Sequence, residues 1–143
     1  MAMDEKDLTL LELLRNNARE STSAIARKLG ISRSTVQSRI ERLERRGVIG
    51  GYTLRLSDEY ERGRIKAHVM ISVAPKLSSR VAHSLRDITE LTALYAVSGP
   101  YDLIAVLSSE TTERIDSLLD EIGALPGIRR TTSSIILSTK FSR

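Results

Sequence analysis

Apolar residues along the first fifty positions recur at helical spacing. Leu8, Leu11, Leu14 and Ala18 stand three to four residues apart, and Leu10 and Leu13 widen the stripe, which predicts an amphipathic helix. Ile25, Ala26 and Leu29 predict a second, short helix ended by Gly30, a residue suited to a left-handed helix terminus. Val36, Ile40 and Leu43 lie at i, i+4 and i+7 of a third, with Ser32 placed to cap it and Gly47 to stop it.

Beyond residue 50 the pattern alternates. In Lys66–Val73 one face is Ala67, Val69, Ile71 and Val73, as a half-buried strand requires, and Pro75 closes it. Leu77, Val81, Leu85 and Ile88 return to helical spacing. Leu91–Val97 and Leu103–Leu107 read as two strands joined by the turn Ser98-Gly99-Pro100-Tyr101-Asp102, a hairpin. Ile115, Leu118, Leu119 and Ile122 predict another helix, ended by the stretch from Gly123 to Gly127, and Ile128–Leu137 a last strand. The order β-α-β-β-α-β is that of a ferredoxin-like fold with helices on one sheet face. Tyr52–Leu56 alternates as a short strand would, and the polar run Ser57–Arg64 reads as linker. The expected fold class is therefore α+β. Residues 1–50 form a helix-turn-helix domain, 51–64 a strand-like hinge and linker, and 65–143 a ferredoxin-like domain.

Chemistry enters through the segment from Thr22 to Arg46, which has the spacing of a helix-turn-helix. Ala26 is small where two helices must cross closely, Gly30 turns the chain, Ile31 fills the crevice and Val36 packs inward. The third helix would then carry Arg33, Ser34, Thr35, Gln37, Arg39 and Arg42 outward. Arg suits guanine and Gln adenine, each in a bidentate pair, and Ser or Thr suits bases or phosphates. Charge changes this picture from a pattern into a footprint. The whole chain of 143 residues carries only +4, yet Arg27 to Arg46 hold seven basic and two acidic residues, a net of +5 that leaves −1 elsewhere. A basic helix laced with Glu41 and Glu44 also describes an ordinary solvated face. The Ala-Gly-Val spacing and the Ser cap favour DNA. The candidate contacts are Arg27, Lys28, Arg42, Arg45 and Arg46 for phosphates, with Arg33, Ser34, Gln37 and Arg39 for bases, and Ser32 and Thr35 beside them.

Composition excludes several other classes. With no cysteine, thiol nucleophiles and thiolate metal sites are absent, and two histidines, His68 and His83, are too few for a multi-histidine centre. No catalytic set, cofactor or metal is expected. No apolar run reaches the roughly 20 residues that span a bilayer, and the opening MAMDEKD is acidic where a signal peptide is basic, so no membrane partner is expected and the cytoplasm is the default. Aromatic residues make up 3 % of the chain. The two strands that would be central in the ferredoxin-like order carry none, which argues against an RNA-recognition domain that stacks bases.

The run ARKLGISRSTVQSRIERLERRGVIGGYTLRL resembles the DNA-binding module of the Lrp/AsnC family, the leucine- and asparagine-responsive regulators. MDEKDLTLLELLRNNARES is similar to that family's first helix. Gly99-Pro100-Tyr101-Asp102 matches its G-x-Y-D turn, and Leu125-Pro126-Gly127-Ile128 followed by Thr131 matches a further piece. The likeness covers essentially the whole chain. It implies a winged-helix-like DNA-binding domain hinged to a ferredoxin-like domain that senses a small molecule, most often an amino acid. It further implies double-stranded DNA as a partner and homodimers, paired through their sheets, that assemble into tetramers or octamers. Effectors in such proteins bind between dimers, which places contacts here at Gly99, Tyr101, Asp102, Thr131 and Ser133. Many relatives have two threonines spaced by one residue on the last strand; here Ser133 keeps the second hydroxyl and loses its methyl. From the residues alone, the favoured reading is that Asp102 caps the turn and Tyr101 packs on the sheet; the resemblance brings the effector reading level with it. A DNA-binding protein without an effector also remains open, as does a tetrapyrrole decarboxylase-like relative of the same architecture, although such an enzyme needs no basic recognition helix.

Overall fold

Each N-terminal helix starts at a side chain that replaces a missing backbone partner. Among residues 3–143, which the computed structural model describes, these helices are α1 (Glu5–Asn16), α2 (Thr22–Leu29) and α3 (Arg33–Arg45). Asp4 accepts from the Asp7 N–H at 2.8 Å while the Asp7 carboxylate accepts from the Asp4 N–H, a reciprocal capping box. Ser21 caps α2 and Ser32 caps α3, each through its hydroxyl. Gly30 ends α2 at φ +66°, where an L residue is strained, and so turns the chain into α3. Leu10, Ile25, Ala26, Leu29, Val36 and Leu43 form the core, with Ile31, Ile40 and Leu14 packed around it. The stripe of α1 centres on Leu10 rather than Leu8, which is 53 % exposed. Asp7 and Leu10, one turn apart, are the buried pair of that helix, and Leu8 is rotated away from them.

The chain separates into two units, Met1–Arg55 and Leu56–Arg143. The short strand expected at Tyr52–Leu56 does not form: residues 50–57 hold no regular secondary structure. Tyr52 and Leu54 are 55 % and 82 % exposed. A strand is stable only when a neighbour takes its N–H and C=O groups. The described part of the first unit therefore shows its three helices without a wing of strands.

In the second unit the polar run predicted as linker contains α4 (Asp58–Glu61), one turn capped by Ser57. Its uniformly polar sequence offered no apolar period to read. The rest follows the predicted order: β1 (Ile65–Val73), α5 (Ser78–Arg86), β2 (Leu91–Ala96), β3 (Leu103–Ser109), α6 (Thr112–Gly123) and β4 (Ile128–Ile136). The strands lie side by side as β2-β3-β1-β4, all neighbours antiparallel, the ferredoxin-like arrangement. Ala67, Val69 and Ile71 of β1 oppose Leu107, Ala105 and Leu103 of β3. Together they meet Val81 and Leu85 of α5 and Ile115, Leu118 and Ile122 of α6. Alternate positions, among them His68, Met70, Tyr95, Ile104 and Val106, fall on the other, open face. No helix among the described residues is long and apolar enough to cross a membrane.

Candidate nucleic-acid interface and effector site

The Ser32 cap fixes the start of α3 and gathers hydroxyls there. Ser32 Oγ accepts from the Thr35 N–H at 3.1 Å and lies 2.7 Å from Thr35 Oγ1 and 3.1 Å from Ser34 Oγ. An open hollow lined by Ser23, Arg27, Gly30 and Arg33 sits over the turn into the helix. With Val36 and Leu43 buried, the helical period turns Arg33, Ser34, Gln37 and Arg45 outward, and all four are exposed. Gln37 Nε2 donates to Glu41 Oε1 at 3.2 Å, one turn along the same face. Ser38 is also exposed on this face. It was missed as a candidate, although the angular position opposite Val36 and Leu43 marks it.

Three of the seven cations between Arg27 and Arg46 are met by acids from outside that segment. Lys28 Nζ lies 2.8 Å from Glu20 Oε1, and that bond holds the Glu20 carboxyl below its ordinary value. Arg39, expected to point outward, instead lies at the edge of the buried stripe. Its Nη1 donates to both carboxylate oxygens of Asp4 and to Asp7 Oδ1, each at 2.8 Å. Arg42 Nη2 donates to Asp7 Oδ1 and Oδ2 at 2.9 and 2.8 Å. The physical reason is position: Arg39 is three residues after Val36 and four before Leu43, so its stem lies along the packed face. The Arg39 guanidinium draws the Asp4 carboxyl below its ordinary 3.8. Asp4, and then Asp7, in turn hold Arg39 more firmly protonated. Asp7 itself is 1 % exposed. Arg27, Lys28, Arg45 and Arg46 are exposed.

The five residues suggested for an effector are not brought to one place within the chain. Gly99 adopts φ +120° in open space, so it is backbone conformation, not small size, that favours glycine there. Tyr101 Oη lies 2.6 Å from Thr132 Oγ1, and the Arg130 guanidinium stands 5.0 Å from the Tyr101 ring centroid. Thr132 pairs with Met70 on the open face, whereas Thr131 and Ser133 pair with Ile71 and Val69 on the helix-covered face. Thr132 and Arg130 are thus the neighbours of Tyr101 that sequence spacing did not indicate. Asp102 Oδ2 accepts from the Val73 N–H at 2.8 Å, while the Asp102 N–H donates to Ile71 O. This carboxylate ties the end of β1 to the turn between β2 and β3. Asp102→Ala is expected to lower the stability of the C-terminal unit by about 1–3 kcal/mol, because the Val73 N–H is left buried without an acceptor. Asp102→Asn, which keeps an acceptor, should restore most of it, as urea unfolding will show. His68 and His83 are both exposed, and no cluster of three or more acidic, His or Cys residues able to hold a metal ion occurs among the described residues.

Known proteins share both units. Residues 3–44 match the sequence model of the AsnC-type helix-turn-helix domain, and residues 66–143 that of the Lrp/AsnC ligand binding domain. The HTH-type transcriptional regulator LysM of Saccharolobus solfataricus is 33 % identical over 141 residues, covering 97 % of this chain and 96 % of LysM. LrpA of Pyrococcus horikoshii, also an HTH-type transcriptional regulator, is 32 % identical, covering 94 % of this chain and 96 % of its own. The feast or famine regulatory protein of M. tuberculosis, solved in complex with L-methionine, superposes with a TM-score of 0.87 at 32 % identity, over 99 % of this chain and 96 % of that one. E. coli AsnC shares the fold with a TM-score of 0.91 at 23 % identity, over 100 % and 97 % of the two chains.

Proposed function

Because the chain belongs to the Lrp/AsnC family of transcriptional regulators, we propose that it reads a specific DNA sequence with α3 and couples that reading to an amino acid held by its C-terminal unit. The observation that carries the reading is the outward row Arg33, Ser34 and Gln37 on the first turns of a helix whose opposite side is locked into the core. Those side chains face base edges in the major groove, while Arg27, Lys28, Arg45 and Arg46 meet phosphates. Arg39 and Arg42 serve the fold of the domain.

A single recognition helix binds weakly, so the active form is a dimer, or an assembly of dimers, with paired helices one turn of DNA apart. The exposed Tyr95, beside Ile104 and Val106 on the open sheet face, supports pairing of that face with a second copy. So do Tyr52 and Leu54, whose alternation lacks a neighbouring strand. The effector, an amino acid by analogy with the methionine-bound relative, sits at Gly99, Tyr101, Asp102, Thr131 and Ser133. Because one chain does not bring these five together, the proposed site needs residues of another copy to complete it. Effector binding changes DNA reading only through its different affinity for the alternative assemblies.

Selection of sites from random DNA by the purified full chain tests the reading. Two inverted half-sites centred about 10 bp apart, or a multiple of this, are expected; no enriched motif would overturn it. Melting of the protein with each of the twenty amino acids tests the effector. A ligand at a hundred times its Kd adds about 2.7 kcal/mol to apparent stability, and no shift with any of them would remove the amino acid from the proposal while leaving DNA binding.

A further inference from the structure

We propose that Asp7 is a positioning residue for DNA specificity: by holding Arg42, and together with Asp4 also Arg39, against α1 it withholds cations from the phosphate backbone and leaves discrimination to Arg33, Ser34 and Gln37. This rests on the reading of α3 as the recognition helix and goes beyond it, since Asp7 lies on a helix outside the two that form the motif.

The geometry is that of a neutralising clamp. Half of the four arginines on α3 converge on one carboxylate that is buried to 1 % exposure. With Asp4 included, two carboxylates balance two guanidiniums within 2.9 Å, so this part of the helix presents no net charge. The same turn of α1 also grips the other helix of the motif, where Lys6 Nζ donates to Leu29 O at 2.9 Å and closes the C-terminus of α2. One turn therefore sets the placement of both motif helices. The clamp is not saturated: the Nε atoms of Arg39 and Arg42 are buried without a hydrogen-bond partner among the described residues. What retains the two guanidiniums is the opposing charge rather than a complete set of hydrogen bonds. A DNA phosphate offers the same charge in the same bidentate form, so neutralising Asp7 frees Arg42 for the duplex, while Arg39 keeps the Asp4 carboxylate. Non-specific binding is carried by such phosphate contacts, and it rises when they are added.

Asp7→Asn, in the full-length chain, keeps the size and one acceptor and removes the charge. Binding is measured from about 50 to 200 mM salt on two duplexes, one selected by the wild-type protein from random DNA and one of unrelated sequence. On the unrelated duplex the slope of log K against log salt is expected to steepen by about one per protomer. The ratio of selected to unrelated affinity falls roughly tenfold. Adding Arg39→Gln and Arg42→Gln returns the wild-type slope. If both affinities fall together with slope and ratio unchanged, Asp7 is structural only and the proposal is overturned. Should Asp7→Asn fail to fold, Asp7→Leu with Arg39→Met and Arg42→Met replaces the cluster by apolar chains of similar length. That variant is expected to keep the wild-type slope, because the two arginines contribute nothing to it; a slope shallower by about two per protomer shows that they contact phosphate and overturns the proposal. Arg33→Ala separates the two levels. If it binds the selected duplex as wild type does, the reading of α3 fails and the Asp7 proposal with it. If it loses binding, only the Asp7 variants decide.

Discussion

Asp7→Ala is expected to remove about 2–3 kcal/mol from the stability of the N-terminal unit. Breaking a fully buried ion pair by deleting one partner costs about 3–5 kcal/mol, since the remaining charge is left unpaired. Here Arg42 loses its carboxylate partner, while Arg39 keeps Asp4. Both keep a route to water, with 18 % and 33 % of the Arg39 and Arg42 side chains exposed, and the freed Arg42 head extends along it. The substitution also removes one half of the α1 capping box, whose bond from the Asp4 N–H is 3.4 Å long and therefore a minor part. Against a total stability of about 5–15 kcal/mol the loss is large. Hydrogen exchange at the Val36 and Leu43 amides reports it for this unit alone, which a global unfolding curve does not. A loss below about 1 kcal/mol would mean that water already screens the cluster as it screens surface pairs.

The helices and strands were legible because their periods are clean. Val36-Ile40-Leu43 and Ala67-Val69-Ile71-Val73 each bury one face, and the structure buries that face. Asp7 was not legible. An acidic residue in a first turn reads as a helix-dipole partner or a cap, and nothing local says that two arginines more than thirty residues later close over it. The same long-range closure bears on the charge of the segment. Net charge between Arg27 and Arg46 treats acids outside the segment as remote, yet Asp4, Asp7 and Glu20 lie against three of its cations. Tyr52–Leu56 failed for a different reason, since alternation specifies a face but supplies no neighbouring strand. The effector residues were placed by likeness to a family. The pleat, which sends Thr131 and Thr132 to opposite faces, then showed which of them Tyr101 touches.

The cations left for phosphate predict how salt governs DNA binding. With Arg39 and Arg42 held by Asp4 and Asp7 and Arg33 turned to a base, the phosphate contacts of each protomer are Arg27, Lys28, Arg45 and Arg46, all exposed. Eight such contacts in a dimer give a slope of log K against log salt of about −7, whereas all seven basic residues of the segment in each protomer would give about −13. A fluorescence titration against the selected duplex between about 50 and 200 mM salt separates these values. Arg33→Ala is expected to have the largest single effect on affinity. A bidentate contact to guanine is worth about 1–3 kcal/mol of discrimination, and two-fold symmetry applies each substitution to both half-sites, so about 2–6 kcal/mol, or roughly thirtyfold to more than ten-thousandfold, is lost on the selected duplex. Because that contact reads a base, the loss on unrelated DNA should be far smaller. Arg45→Ala should behave in the opposite way, lowering affinity for all duplexes alike and flattening the slope by about 2 for the dimer. If the two variants prove indistinguishable in their ratio of selected to unrelated binding, Arg33 contacts phosphate, and base reading passes to Ser34, Gln37 and Ser38 on the same exposed face.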